Sequence, residues 1–311
     1  MTVPSYPLYI VSKGRYELMA TSRALNKMRV PHYIVVEPQE EKEYRRALVR
    51  LGLKQASILV LPVGNHGNGA GVARNFAWDH SISFGYKKHW VLDDNILDFY
   101  RLNRNMRIRI ESGVCFKIME DFVDRYTNIR IAGPAYRFHC PSNQRCDPYI
   151  PNTRIYSCLL IDNDLKHRWR GRYNEDTDIC LRVLKDGDCT VQFTAILQEK
   201  TETQGVKGGN TDEFYHKEVG IDETTGEAIK ADEKIKVAKR TYNVDGTLAK
   251  SQMLVDMHPD VTTLVKRYGR WHHHVDYRGF LNNKFKFKEG IRLEDRINNY
   301  GMELVNLNNE E

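Results

Sequence analysis

Two acidic clusters, far apart in the chain, carry residue types that could do chemistry. The first is Asp93-Asp94-Asn95, directly after the apolar run His89-Trp90-Val91-Leu92. Adjacent carboxylates repel, so holding both at a strand end costs free energy unless a cation sits against them. A hard divalent ion such as Mg²⁺ or Mn²⁺ takes oxygen ligands, commonly one or two carboxylates together with substrate phosphates. The alternative is a solvated turn, where Asp and Asn are common; a position right after an apolar strand favours the cation. The second cluster is Asn174-Glu175-Asp176-Thr177-Asp178. Asn174 reads as a helix N-cap, and acids in a first helical turn are favoured by the helix dipole. The same placement allows one of these acids to project into a crevice as a general base, taking a proton from an acceptor hydroxyl. Upstream, Arg168, Arg170 and Arg172 either hold phosphate, balance the acids or lie on the surface.

Two further segments bear on the same chemistry. Gly64-Asn65-His66-Gly67-Asn68-Gly69-Ala70-Gly71 opens a helix but matches neither the dinucleotide fingerprint nor the P-loop pattern. Backbone amides at a helix start still attract anions, and Arg74 and Asn75 fall in the first turn, where they could touch a nucleotide. The other reading is a flexible surface loop. Near the C-terminus, Lys266 to Arg278 interleaves basic and aromatic residues, and Lys284-Phe285-Lys286-Phe287-Lys288 follows. Charges there could meet phosphates and rings could stack on bases, with Arg267, Arg270, Trp271 and His272 as the nucleic-acid candidates. Adjacent histidines seldom all reach one ion, so His273 is the single metal-ligand candidate of the three. Phe285 and Phe287 alternate as a half-buried strand would, and read as core. His139-Cys140 with Cys146 has no second pair at matching spacing, which argues against a zinc site.

The elements that must position these residues are legible in the first half. Strands are expected at 7–11, 32–36, 57–61 and 89–92, separated by helices at 16–29, 40–52 and 72–84. That alternation implies a mostly parallel sheet with helices on both faces. Ligands bind such sheets beyond the carboxyl ends of the strands, where both Asp93-Asp94-Asn95 and Ser12-Lys13-Gly14-Arg15 fall. Further strands are expected at 129–133, 155–161 and 189–197, and a helix at 175–186. Residues 200–250 are polar with almost no apolar periodicity, which reads as solvated loop or short hairpins over 216–236. Gly205 to Asn210 could form a mobile lid hinged on its glycines, and the tail after Leu307 reads as frayed.

Composition narrows the class. Among 311 residues, 41% are hydrophobic and 28% charged, so wholesale disorder is excluded. Lys plus Arg number 47 against 41 Asp plus Glu, a net charge of +6 that suits a polyanionic partner without requiring one. No apolar run reaches the roughly 18–20 residues of a membrane span, and the start of the chain lacks signal-peptide character. Six cysteines without tight spacing are not a disulfide framework. These features point to a soluble cytoplasmic protein with reduced thiols and no membrane partner.

Taken together, Ser12 to Arg15 after a strand, Ala73-Arg74-Asn75 on a helix, Asp93-Asp94-Asn95 and Asn174-Glu175-Asp176 resemble a GT-A glycosyltransferase over about residues 5–200. With the basic-aromatic C-terminal segment, the whole chain resembles the TET-associated glycosyltransferases, virus-encoded enzymes that attach a sugar to 5-hydroxymethylcytosine in DNA. The resemblance implies a core at 1–200, a loop or lid region at 201–250 and an acceptor-binding segment at 251–311. It implies a UDP-sugar donor (UDP-glucose, UDP-GlcNAc or UDP-GalNAc), a Mn²⁺ or Mg²⁺ ion, DNA as acceptor and the host-cell cytoplasm as location. Asp93 would touch ribose or metal, Asp94 the metal, Ser12 and Arg15 the uracil, and Arg74 the diphosphate. Asp176, with Glu175 beside it, would be the base. The motif reads Asp-Asp-Asn where the pattern is Asp-x-Asp, which leaves open the oxygen that meets the metal. Rival expectations are a GT-A transferase with a polysaccharide acceptor, a nucleotidyltransferase, and a non-catalytic DNA-binding module on a degenerate transferase fold.

Overall fold

The computed structural model describes residues 4–64, 69–103, 106–140, 147–201, 220–221, 228–229, 234–237, 240–243, 247–267 and 270–290. The expected lid, Gly205 to Asn210, and the tail after Leu307 lie outside the described residues.

Strands β1 (Leu8–Val11), β2 (His32–Val36), β3 (Ala56–Val60) and β4 (Lys88–Asp93) alternate with helices α1 (Ala20–Lys27), α2 (Glu41–Leu51) and α3 (Gly71–Ser83). The four strands pair in parallel in the order β3-β2-β1-β4. The chain therefore moves outward from β1 to β3, then returns through α3 to the other side of β1. This is the switch point at which a crevice opens beyond the strand ends. After it come β5 (Ile96–Asn103), β6 (Met106–Arg109), α4 (Val114–Val123), β7 (Ile129–Tyr136), β8 (Tyr149–Pro151), β9 (Cys158–Asp162), α5 (Glu175–Lys185) and β10 (Cys189–Lys200). The sheet continues β4-β9-β7-β10-β5-β6, with β9 antiparallel to both β4 and β7, and β7 parallel to β10. The ends of β1, β4, β7 and β10 and the start of β9 consequently share one edge of the sheet.

Side chains alternate across these strands, as the pleat requires. Leu8, Ile10, Ile34, Trp90 and Leu92 pack with Leu25 of α1, Tyr44 and Ala47 of α2, and Phe116 and Met119 of α4. On the opposite face, Tyr9 and Val35 pack with Ala73 and Ala77 of α3, and Val91 and Ile131 pack with Trp78 of α3 and Ile179 and Val183 of α5. The sheet is thus covered on both sides, and a mixed α/β fold, mostly parallel in its N-terminal strands, is what the periodicity predicts. Trp78 and Trp90 are both fully buried, as expected.

Where β7 meets β9, the backbones come close. A Cβ at Gly133 would lie 2.1 Å from the Cys158 carbonyl oxygen, so only glycine fits. In the C-terminal part, β11 (Gly220–Ile221) pairs with β12 (Ala228–Ile229), and β13 (Lys234–Val237) with β14 (Arg240–Asn243), each pair antiparallel. Helix α6 (Thr247–Met257) and the antiparallel pair β15 (Thr262–Arg267) and β16 (Arg270–Val275) follow. Leu254, Val275 and Phe280 pack on Leu181 and Leu184 of α5. Phe285 packs on the main core beside Tyr126, as expected, whereas Phe287, bridged to Tyr126 and with its ring 4.6 Å from that of Tyr126, stays 41% exposed. All five described cysteines are buried. Among the described residues no helix is long and apolar enough to cross a membrane.

Candidate active site

A cleft of about 660 Å³ opens at the shared strand edge, and Ser12, Asp93, Asp94, Glu175 and Asp176 all line it. The register explains the convergence. Val11 sits opposite Asp93 in the β1–β4 ladder, which puts Ser12 beside Asp94. Leu92 sits opposite Cys158, which puts Ser157 beside Asp93, whose amide donates to the Ser157 carbonyl at 2.7 Å.

Arg74 joins the two acidic clusters. It is 3% exposed and reaches Asp93 at 2.8 Å, Glu175 at 3.3 Å and Asp176 through a short contact. Its guanidinium lies 4.5 Å over the Trp169 ring. A buried cation is tolerable only when paired, and three carboxylates around one guanidinium supply the pairing. Lys200, at the end of β10, completes the arrangement, donating to Asp93 Oδ2 at 2.9 Å and to Ser157 Oγ at 2.7 Å. Burial pushes the Asp93 carboxyl up, but Lys200 and Arg74 outweigh it and hold it well below its ordinary range. Burial opposes the charge on Lys200 too, and Asp93 more than restores it. Glu175 is shifted upward by burial, against the pull of Arg74. Asp176 accepts a 3.1 Å bond from the Ser157 amide on Oδ2, with Arg74 on Oδ1.

Asp94 is turned toward the other end of the cleft. It accepts from Ser12 Oγ at 2.7 Å and from Arg15, and Ser12 also bonds the Tyr44 hydroxyl at 2.6 Å. Beside them Lys13 pairs with Glu37 at 3.0 Å. A hard divalent ion suits Asp93, whose ionised side chain keeps 25% exposure to the cleft. Both oxygens of Asp94 are paired, with Ser12 and Arg15, as both of Asp93 are, with Arg74 and Lys200, so exposure to the cleft rather than a vacant oxygen distinguishes the two acids. Among the described residues no group of three His, Cys, Asp or Glu could hold a metal ion, so the metal-ligand candidates Asp93, Asp94 and His273 do not form one cluster. His273 does line the cleft, with its ring held neutral by burial and its pKa lowered to about 4.

The remaining predicted residues separate. His272 lines the cleft, Trp271 is half-buried under Lys266, Arg267 is exposed, and the Arg270 side chain lies outside the described residues. Asn174 precedes α5 with φ +53 but makes no side-chain cap. Its amide instead donates to the Lys250 carbonyl at 2.7 Å, tying α6 to α5. Asp178 is fully buried and accepts from Arg170, from Arg182 at 2.7 Å and from His258 at 2.9 Å, so it serves the packing of α5. Arg168 pairs with Asp79, and Arg170 pairs with Asp178, an acid of the second cluster. In the Gly-rich loop, residues 65–68 lie outside the described residues. Gly69 has φ +74, and a Cβ there would lie 2.9 Å from the Arg172 carbonyl oxygen. Cys146 likewise lies outside the described residues.

Sequence reasoning missed Lys200, Ser157, Tyr136, Arg154 and Glu37. Glu37 was findable, since it follows the apolar run 32–36 as Asp93 follows 89–92. Lys200 was not, because the strand that delivers it runs three residues beyond the apolar pattern ending at 197.

Among known families, the sequence model of the TET-associated glycosyltransferases matches residues 6–209. No curated protein sequence matches the chain. Among solved structures, residues 1–349 of S. aureus TarS are similar with a TM-score of 0.41 and 11% identity, over 69% of this chain and 62% of that one. GalNAc-T7 with UDP, GalNAc and Mn²⁺ is similar with a TM-score of 0.41 and 9% identity, over 63% of this chain and 44% of that one. The chain thus spans less than two thirds of either.

Proposed function

Because the chain belongs to the TET-associated glycosyltransferase family, we propose that it moves a sugar from a UDP-sugar to the hydroxyl of 5-hydroxymethylcytosine in DNA. The observation that carries this reading is Arg74 clamping Asp93 to Glu175 and Asp176 in one cleft. Donor-side and base-side carboxylates are then within one guanidinium of each other, as a transfer between two bound substrates requires.

In this reading Asp176 takes the proton of the acceptor hydroxyl. The oxygen so released bonds to the anomeric carbon as the bond from that carbon to the β-phosphate oxygen breaks, and UDP leaves. Attack from the face opposite the leaving group inverts the anomeric configuration. The Ser157 amide and Arg74 aim Asp176. Lys200 and Arg74 are the chain's own cations against the charge that develops on the diphosphate, the electrostatic contribution that usually dominates such transfers. Asp93 would hold Mn²⁺ or Mg²⁺ in company with the donor's phosphates, and an ion there would neutralise the same charge. Ser12, Arg15, Lys13 and Glu37 would meet the nucleoside. Arg267, Arg270, Trp271 and His272 would hold the DNA backbone with little regard to sequence.

The test is UDP release from UDP-glucose, UDP-GlcNAc and UDP-GalNAc, with DNA that carries or lacks hydroxymethylcytosine. Turnover is expected with the modified DNA alone, and Asp176→Asn should lower it by roughly 10²–10⁴-fold. Chelation with EDTA should lower it as well, with recovery on adding Mn²⁺ or Mg²⁺. Equal turnover with unmodified DNA would exclude the proposed acceptor, and full turnover in EDTA would leave Lys200 and Arg74 as the only cations needed.

A further inference from the structure

The cleft has two chemically different ends. One lies at β1 and β2, with Lys13, Arg15 and Glu37. In the sheet order β2-β1-β4-β9-β7, the acids of β4 stand in the middle, and the far end belongs to β7 and the approach to β9. That far end is aromatic. Phe138 stacks on Tyr136 with centroids 5.6 Å apart and planes at 15°, and Tyr136 stacks on Tyr156 at 5.5 Å and 7°. Arg154 closes the inner end of the column, 4.7 Å over the Tyr156 ring. All four residues line the cleft.

The column is built, and it ends in the open. Tyr136 and Tyr156 are largely enclosed, whereas Phe138 is 72% exposed. The edge of His139 props Phe138, its ring centroid 4.0 Å away at 70°. The Tyr136 hydroxyl bonds Ser157 Oγ at 2.7 Å. Ser157 in turn bonds Lys200 and, through its amide, Asp176. The rings are therefore held in a fixed relation to the proposed base. A planar ligand laid on Phe138 would extend the column by one layer and cover its apolar face.

We infer that Phe138, at the head of the Phe138–Tyr136–Tyr156 column, is the platform on which the acceptor's unstacked pyrimidine base lies during transfer. The inference rests on the acceptor reading above and adds the site that reading lacks. A base inside a duplex cannot bring its hydroxymethyl group into a cleft, so it must be extruded or already single-stranded. Extrusion costs stacking energy, and a ring platform returns it without regard to sequence. Stacking of the donor's uracil on Phe138 is the competing occupancy, and it differs in which substrate the ring would grip.

The experiment compares wild type, Phe138→Ala and Phe138→Trp on a single-stranded oligonucleotide containing one hydroxymethylcytosine, with UDP affinity measured in parallel by calorimetry. Phe138→Ala is expected to raise KM for the oligonucleotide by about 10–100-fold, with Kd for UDP unaltered, and Phe138→Trp to restore KM. An unchanged KM in Phe138→Ala would overturn the platform while leaving the acceptor reading intact. A weakened Kd for UDP would assign the column to the donor instead. A wild-type enzyme that releases UDP but leaves the oligonucleotide unmodified would remove the acceptor reading, and the platform with it.

Discussion

Arg74 is the residue on which the site's electrostatics turn. Without it, Asp93, Glu175 and Asp176 would share a buried space with Lys200 as the nearest remaining cation. Breaking a buried ion pair by deleting one partner typically costs about 3–5 kcal/mol, because the other charge is left uncompensated. Arg74→Met should therefore destabilise the fold by about that amount in urea unfolding, in addition to abolishing transfer. A variant as stable as wild type would mean that the acids take up protons at little cost. The sequence marked Arg74 as a first-turn residue near a Gly-rich loop and, by resemblance, as a contact of the diphosphate. Its bridging role depends on residues 19 and about 100 positions away, a separation no local spacing encodes.

Among the elements, β7 and β9 form the contact with the least slack. A methyl group at position 133 would meet the Cys158 carbonyl oxygen at 2.1 Å and Ile155 Cγ2 at 2.6 Å. Gly133→Ala is expected to cost about 1–3 kcal/mol by overpacking, and to shift Tyr136 and Ser157, so activity should fall more than stability alone predicts. Denaturation and turnover measured on the same preparation check this, and unaltered values of both would show that the strands can part freely. Elements with strong apolar periodicity were legible, as β1 to β4 and α2, α3 and α5 show. Short polar-faced strands were not. The pair β15–β16 reads in sequence as a basic-aromatic tract, and Thr262, Leu264 and Val275 become strand positions only through their partners.

At the scale of the whole molecule, buried histidines set a response to acid. His32 donates from Nδ1 to the Val30 carbonyl at 2.9 Å and faces Ser22 through Nε2, and His89 donates to Asn163 at 2.6 Å. Burial holds both rings neutral, with pKa values lowered to about 4. A histidine whose folded pKa lies below its unfolded value stabilises the fold above about pH 6.5 and loses that contribution as pH falls toward 4. Each such histidine costs about 1.4 kcal/mol per pH unit across that interval. Melting temperature should decline steadily from pH 6.5 to pH 4, and His89→Asn should flatten the slope. A slope unchanged in that variant would place the acid sensitivity elsewhere.

The amino-acid order by itself determined the α/β alternation, the parallel character of the first half and the two acidic clusters at strand and helix ends, because apolar period and turn chemistry act over a few residues. Only tertiary structure decided what those clusters do. Register between β1, β4 and β9 put Ser12, Asp93 and Ser157 side by side, sent Asp94 to Arg15, delivered Lys200 from a strand over a hundred residues away and stacked three rings beside the acids. These are long-range choices, made by packing and charge pairing across the sheet.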